Sequence, residues 1–120
     1  MPSLMRVAPE LPVDDVRASL RHYEEKLGFR AAMTMADGEY AIVERDGVAL
    51  HLFRSDAGAH SPASIHVFVA GLDELHAELQ ARGAQLTQGI VRKPWGTRDF
   101  RVVDSSGNAI KFTEPLDHDA

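Results

Sequence analysis

The sequence contains no cysteine, which excludes disulfides, a thiolate nucleophile and a cysteine-ligated zinc site. It has no apolar run long enough to cross a membrane, and no signal-peptide pattern follows Met1. The net charge of −5 at pH 7 disfavours a nucleic-acid-binding surface, which is normally basic. We therefore expect a cytoplasmic protein that has neither nucleic acid nor a membrane as its partner.

Aromatic residues are scarce, at 7% of the chain with a single tryptophan. The hydrophobic fraction of 44% and the charged fraction of 26% are ordinary for a soluble globular protein. A chain of 120 residues is long enough to bury one hydrophobic core but not two. We therefore expect residues 1–120 to form a single domain.

The same order of predicted elements occurs twice, in copies that lie roughly 56–60 residues apart. Each copy has an extended stretch, a helical pattern that ends at glycine, and strands that turn at a glycine. The landmarks are Met5–Val13, Gly28 and Asp46–Gly47 in the first copy, and 65–69, Gly83 and 104–107 in the second. The repeat predicts one pseudo-symmetric α+β domain with modules at about 5–54 and 64–114 and a linker at 55–63.

Two helices are predicted between these landmarks. The first begins after Asp14 or Asp15, whose carboxylates can cap free backbone N–H groups, and the second ends at Gly83. Apolar residues recur at helical spacing in both and should form the buried stripes. These are Val16, Leu20, Tyr23 and Leu27 in the first helix, and Leu72, Leu75 and Leu79 in the second.

The predicted strands alternate between an aliphatic face and a mixed face of polar, small and aromatic residues. We expect the aliphatic face, which includes Leu50, Val67 and Ile110, to pack against the helices. The mixed face is either the lining of a ligand cavity or a solvated outer surface. Phe53 and Phe68 on this face favour a cavity, because large aromatic side chains are poor choices for open water.

Several motifs carry a family resemblance, and together they span nearly the whole chain. They are Pro12–Val16 with Tyr23 and Leu27-Gly28-Phe29, then Val69–Leu75, Lys93-Pro94-Trp95-Gly96 and Asp104–Asn108. In this order the chain resembles the vicinal-oxygen-chelate superfamily of glyoxalases, extradiol dioxygenases, fosfomycin-resistance enzymes and bleomycin-resistance proteins. The Gly-Leu-Asp-Glu-Leu run, the Pro-Trp-Gly loop and the late Gly-Asn turn are most similar to the bleomycin-resistance branch. The resemblance implies two βαβββ modules whose sheets form a cup.

Metal-dependent members of that superfamily take one ligand from each of four strands, and spacing places Ala8, His51, Ser64 and Lys111 at these positions. Alanine offers no donor, serine offers only a neutral hydroxyl, and a protonated lysine repels a cation. Only His51 is a suitable ligand. We therefore expect neither a metal ion nor another cofactor.

A displaced metal site is the alternative, because alternation places two further donors, Glu10 and His66, on the same face as His51. Lys111 has two interpretations: it pairs with Glu10, or it contacts an anionic or carbonyl-bearing ligand. In the resemblance Trp95 lies at the mouth of the groove, where an indole stacks on flat ligands; the alternative is a structural plug under its loop.

The predicted ligand-binding residues lie on the mixed face, in the Trp95 loop and in the adaptable wall near Met33. They are Phe29, Met33, Tyr40, His51, Phe53, Ser64, His66, Phe68, Trp95 and Lys111. The resemblance implies a non-catalytic protein that sequesters a hydrophobic or cationic small molecule, such as a bleomycin-type antibiotic.

The resemblance also implies a homodimer that exchanges its first strand, with Pro9 and Pro12 as hinges. Two other functions remain open from the sequence. One is a glyoxalase- or dioxygenase-like enzyme that uses a shifted metal site or His51 as a base. The other is a regulatory ligand sensor.

Overall fold

The computed structural model of the protein describes residues 1–56 and 59–115, so residues 57 and 58 of the expected linker lie outside the description. The element order is βαβββ followed by βαβββ, which confirms the predicted α+β fold. The helices are α1 (Val16–Leu27) and α2 (Leu72–Arg82). The strands are β1 (Glu10–Val13), β2 (Arg30–Thr34), β3 (Tyr40–Arg45), β4 (Val48–Arg54), β5 (Ser64–Phe68), β6 (Gln85–Lys93), β7 (Thr97–Val103) and β8 (Ala109–Pro115).

Each module forms its own four-stranded mixed sheet. Sheet 1 has the order β1-β4-β3-β2, and sheet 2 has the matching order β5-β8-β7-β6. In both sheets the first strand runs parallel to the last, while the other pairs are antiparallel. This correspondence confirms that the sequence repeat is a structural repeat.

Both helices begin and end by identifiable local interactions. The Asp15 carboxylate caps α1 by accepting the Ala18 N–H, and Gly28 ends that helix at φ 73°. The first residue before α2 is Gly71, which has no side chain to act as a cap. Glu114 of β8 caps α2 instead, because its carboxylate accepts the Gly71 N–H at 2.8 Å. A hydrogen bond from Arg98 lowers the pKa of the Glu114 carboxyl. Neither helix among the described residues is long and apolar enough to span a membrane.

The faces of the strands follow the predicted alternation. Leu50, Leu52, Phe100, Ile110 and Phe112 are buried on the faces that α1 and α2 cover. We call the opposite surfaces the polar faces of sheets 1 and 2. At about 25 cal/mol per Å² of buried apolar area, this helix-covered layer is the main source of stability.

The first strand is shorter than the extended stretch predicted from Met5. Pairing with β4 begins at Glu10, and just upstream the Pro9 carbonyl accepts the His51 N–H. Residues 1–8 form an extended arm in which Leu4, Met5 and Val7 are almost fully exposed.

A buried polar network joins the β7–β8 turn to the first module. The Asp104 carboxylate, which is 3% exposed, accepts the Tyr23 hydroxyl at 2.8 Å and the Asn108 amide Nδ2 at 2.9 Å. Its other oxygen accepts the backbone N–H groups of Ser106 and Asn108. Asn108 also donates to the Pro12 carbonyl at 2.8 Å. Burial, followed by the Asp104 charge, raises the pKa of Tyr23 well above its ordinary value.

Replacing Asn108 with alanine is expected to destabilise the fold strongly. The change leaves the Pro12 carbonyl, the Ala63 N–H and part of Asp104 without partners in a buried site. Each such loss costs on the order of 1–3 kcal/mol, so urea titration should show a decrease of about 3 kcal/mol in the free energy of unfolding. Ser105→Ala in the same turn is the exposed control and should change stability by less than about 0.5 kcal/mol. Equal stability of the two variants would contradict this role.

Candidate functional site

The polar face of sheet 1 brings together Glu10, Tyr40 and His51. Glu10 lies opposite His51 in the β1–β4 register, and Tyr40 enters from β3. The Tyr40 hydroxyl donates to Glu10 Oε2 at 2.7 Å and lies 2.6 Å from His51 Nδ1. The hydrogen bond to Glu10 is the main reason that the pKa of Tyr40 is raised. Phe53 pairs directly with Tyr40 and completes this surface.

A proton count shows which nitrogen of the His51 ring carries a proton. The Tyr40 hydroxyl has one hydrogen, and Glu10 takes it. The short contact to His51 is therefore a hydrogen bond only if Nδ1 carries a proton and donates to the tyrosine oxygen. A neutral ring with a proton on Nδ1 has a free lone pair on Nε2. In this neutral form His51 offers an acceptor or base to a ligand at this face.

This tautomer is testable by nitrogen-15 NMR at a pH where His51 is neutral. We expect Nδ1 to be protonated and Nε2 to be unprotonated in the natural protein, and Tyr40→Phe to remove that preference while keeping the ring contact. His66 is an internal control, because its partner Thr113 has a hydroxyl that can either donate or accept. A His51 ring with its proton on Nε2 would mean that Tyr40 donates to His51 and not to Glu10.

The polar face of sheet 2 carries aromatic and cationic side chains. His66 Nδ1 is 2.9 Å from the Thr113 hydroxyl, and its ring stacks with Phe68 at 6.1 Å between centroids. Lys111 lies between His66 and Arg101 in the strand registers. Within the described part of the chain neither Lys111 nor Arg101 forms an ion pair, and the Arg101 Nε is buried without a partner. The side chains of Lys111 and Arg101 are therefore available to bind a ligand.

Three residues of this face were missed by the sequence prediction. Asp99 is 3% exposed and accepts the Gln88 amide at 2.8 Å, and Arg101 follows two positions along β7. The sequence did contain a signal for Asp99 and Arg101, because they alternate along β7 with the buried apolar residues Phe100 and Val102.

Most of the predicted site residues lie on the two polar faces or at their margins. Tyr40, His51 and Phe53 belong to sheet 1, and Ser64, His66, Phe68 and Lys111 belong to sheet 2. Met33 lies on the edge strand β2 and is 36% exposed. These positions bring the residues into two groups, one on each sheet.

Phe29 does not belong to this surface. Its side chain is 5% exposed and packs edge-to-face on Tyr23 in the hydrophobic core. The reason is the chain reversal at Gly28, where the Phe29 N–H bonds back to the Tyr23 carbonyl and directs the ring under α1.

Trp95 occupies the β6–β7 turn, and its side chain is 73% exposed. The interpretation of Trp95 as a structural plug is therefore wrong, because a plug would be buried under its loop. An indole with this exposure is available to stack on a ligand or on another chain.

The pairing of Lys111 with Glu10 is not formed within the chain. The two residues lie on different sheets, where Glu10 bonds to Tyr40 and Lys111 neighbours His66. Lys111 therefore keeps its second interpretation, as a contact for an anionic or carbonyl group.

Within one chain, Glu10, His51 and His66 are not brought together as metal ligands. Glu10 and His51 are linked through Tyr40, but His66 is on the other sheet beside the Lys111 ammonium. Over residues 1–56 and 59–115, no group of three or more histidine, aspartate or glutamate side chains is placed to hold an ion. A stable site needs such a set of donors, and a neighbouring ammonium opposes a cation.

Comparison with known proteins identifies the class that this fold and these faces define. A sequence profile described as "Glyoxalase superfamily protein" matches residues 3–119, and the chain belongs to that superfamily. It is 27% identical over 132 residues to the bleomycin resistance protein of Geobacillus stearothermophilus, covering 94% of this chain and 98% of the relative.

Two solved structures have a similar fold. The bleomycin-binding protein of Streptomyces verticillus, in complex with copper(II)-bleomycin, has a TM-score of 0.78 and 26% identity, over 95% of this chain and 98% of that one. TioX from Micromonospora sp. ML1 shares the fold with a TM-score of 0.76 and 24% identity, over 97% and 100%.

Proposed function

We propose that the protein binds a small organic molecule between a polar face of sheet 1 and a polar face of sheet 2. It sequesters this molecule without a metal ion. The proposed ligand is a hydrophobic or cationic compound with a flat ring system, of the class to which bleomycin-type antibiotics belong. The similarity to a bleomycin resistance protein and to a bleomycin-binding protein supports this proposal. Sequestration requires affinity and not turnover, on the scale of about −8 kcal/mol or better.

The observation that carries the proposal is the exposure of aromatic side chains on and beside the polar faces. Phe68 is 67% exposed and Trp95 is 73% exposed, although both are large apolar groups. Phe68 lies on the edge strand β5 and Trp95 lies in the β6–β7 turn at the other edge of sheet 2, so an extended ligand would contact both.

The charges on the two faces favour different parts of one ligand. On sheet 1 the Glu10 carboxylate and the free His51 Nε2 accept hydrogen bonds, so they favour cationic or donor groups. On sheet 2 the Lys111 and Arg101 cations favour carbonyl or anionic groups. A ligand with both kinds of group would be oriented by the two faces.

Calorimetry against metal-free and copper(II)-loaded bleomycin tests the proposal. We expect binding with a dissociation constant in the micromolar range or below, and Trp95→Ala should weaken it by about tenfold or more because the stacked area is lost. Glu24→Ala on the exposed surface of α1 is the control and should leave the affinity unchanged. If neither form of the drug, nor other flat cationic antibiotics, produces heat, the protein is not a trap for drugs of this class.

We also propose that the protein is a homodimer in which the N-terminal arm, residues 1–8, crosses to the partner. The exposed Leu4, Met5 and Val7 support this, since a free arm in water would not be so apolar. A groove of about 350 Å³ beside β4 and β5 is lined by Val48, Leu50 and Ile65 together with Arg6, Val7 and Pro9 of the same chain, so the arm lies beside space for an apolar strand. The hinge is then Pro9, because the β1 residue Pro12 is held by Asn108 of its own chain.

Leu4→Asp with Val7→Asp is expected to dissociate this dimer. Each substitution replaces an apolar side chain, whose burial contributes roughly 1.5–3 kcal/mol, by a charge. Light scattering after gel filtration should show a dimer dissociation constant raised about 100-fold or more. The control, Ala36→Asp with Ser105→Asp, adds the same charge at two exposed positions outside the arm. If the Leu4 and Val7 variant remains as dimeric as the control, the arm is not the exchanged element.

An enzyme of the same superfamily is the second candidate, and the free Nε2 of His51 is the observation that favours it. Such an enzyme would use His51 as a base, or would assemble a shifted metal site from Glu10, His51 and His66. Elemental analysis of protein purified without chelator distinguishes the two functions. A stoichiometric divalent ion that is lost in His51→Ala would favour the enzyme.

A further inference from the structure

The two junctions between the modules are built differently, although the repeat makes them equivalent. At the first, which we call the closed seam, the β7–β8 turn packs against α1 and β1 through Asp104 and Asn108. At the second, which we call the open seam, the β3–β4 turn faces α2 and β5, and a groove of about 560 Å³ remains. The volume is in the range of sites for drug-sized ligands.

The sequence explains why the second junction stays open. Aligning Gly47 with Gly107 places Glu44 at the position of Asp104 and Val48 at the position of Asn108. Glu44 is engaged elsewhere, because it accepts the Gly47 N–H and pairs with Arg30. Val48 has no polar atom with which to reproduce the bonds of Asn108. The open seam therefore lacks the side chains that fill its counterpart.

One ion pair bridges the open seam. Arg45 of the turn forms two hydrogen bonds with Glu78 of α2, at 2.7 and 3.0 Å, and also donates to the Leu27 carbonyl. Glu78 is shared with Arg82 at 2.8 Å. These guanidinium bonds lower the pKa of the Glu78 carboxyl. The Arg45–Glu78 pair is thus satisfied internally and leaves neither charge free for a ligand.

The remaining surface of the groove has an apolar floor and an acidic rim. Phe29, Val48, Val67, Leu75 and Phe112 supply the apolar lining. Asp46 and Glu74 stand at the rim. Asp46 is 3.7 Å from the Arg45 Nε but has a side chain that is 89% exposed, and Glu74 forms no ion pair among the described residues.

We infer that the open seam is a second binding site, distinct from the polar faces except for the shared Phe68, for a small apolar organic cation such as an arylalkylammonium. The apolar part would cover Val67, Leu75 and Phe112, and the ammonium would lie between Asp46 and Glu74. A neutral or anionic molecule of the same shape would gain the apolar contacts but not the attraction of the carboxylates. The site shares Phe68 with the polar face of sheet 2, whereas Asp46, Glu74 and Leu75 belong to the open seam.

The test is residue-resolved NMR on the full-length protein, with protonated 1-naphthylmethylamine as the probe and 1-naphthaleneacetate as its anionic match. Methyl resonances of Val48, Val67 and Leu75 report the open seam, and the Trp95 indole N–H reports the polar faces. We expect the amine to shift the methyl resonances of the open seam in a saturable way. The acetate should bind at least about tenfold more weakly than the amine. No saturable seam shift, or equal affinity for the two probes, would overturn the inference.

Charge variants isolate the contribution of the rim. Asp46→Asn with Glu74→Gln should weaken binding of the amine about threefold to tenfold at low salt, and added salt should narrow the difference. Asparagine suits the position, because Asp46 has a φ of 52°, a conformation that asparagine tolerates. Glu24→Gln with Glu25→Gln on α1 changes the net charge equally and should leave the affinity within about twofold. An equal loss in both double variants would show a long-range charge effect and no site.

The arm of a second copy is the competing occupant, because its groove shares Val48, Val67 and Phe68 with the open seam. A variant lacking residues 2–8 distinguishes the two. Equal binding of the amine by the full-length and shortened proteins supports a small-molecule site. Binding by the shortened protein alone would mean that the arm fills the seam and would refute the inference.

Discussion

The buried Asp104 carboxylate is the constraint on which the relation between the two modules depends. It is almost fully buried and forms no ion pair with the described residues, and four hydrogen bonds stabilise its charge. Three of those bonds come from its own turn, and the fourth comes from Tyr23 on the helix of the other module. A carboxylate that needs donors from both modules fixes one against the other, since separating them would leave it underpaired.

The repeat gives the chain two similar frameworks, but the side chains give them different chemistry. The polar face of sheet 1 is dominated by acceptors around Glu10, and that of sheet 2 by the cations Lys111 and Arg101. The junctions diverge in the same way, one filled by Asn108 and the other left open at Val48. Pseudo-symmetry therefore fixes where surfaces lie, and the departures from it determine what each surface attracts.

Local signals in the sequence were sufficient for the fold and for the sidedness of the strands. Asp15, Gly28 and Gly83 mark helix ends through capping interactions within a few residues, and alternation along β4 and β8 assigns the buried face. The burial of Phe29 could not be predicted from periodicity, because the direction of its ring depends on the turn at Gly28 and on its packing against Tyr23 of α1. The Glu10–Tyr40–His51 contact depends on strand register, which periodicity alone does not supply.

The same dependence on register bears on the choice between a metal site and an organic-ligand site. In the strand pairing, Lys111 lies directly beside His66, and Arg101 lies beside Lys111, so a cation approaching His66 meets two positive charges. On the other sheet, Tyr40 already forms hydrogen bonds with one Glu10 oxygen and with the Nδ1 of His51. Few atoms in any one place are therefore free to coordinate a metal ion. Surfaces with dispersed acceptors, separate cations and exposed rings such as Phe68 suit an extended organic molecule, because its groups are spread over a comparable distance.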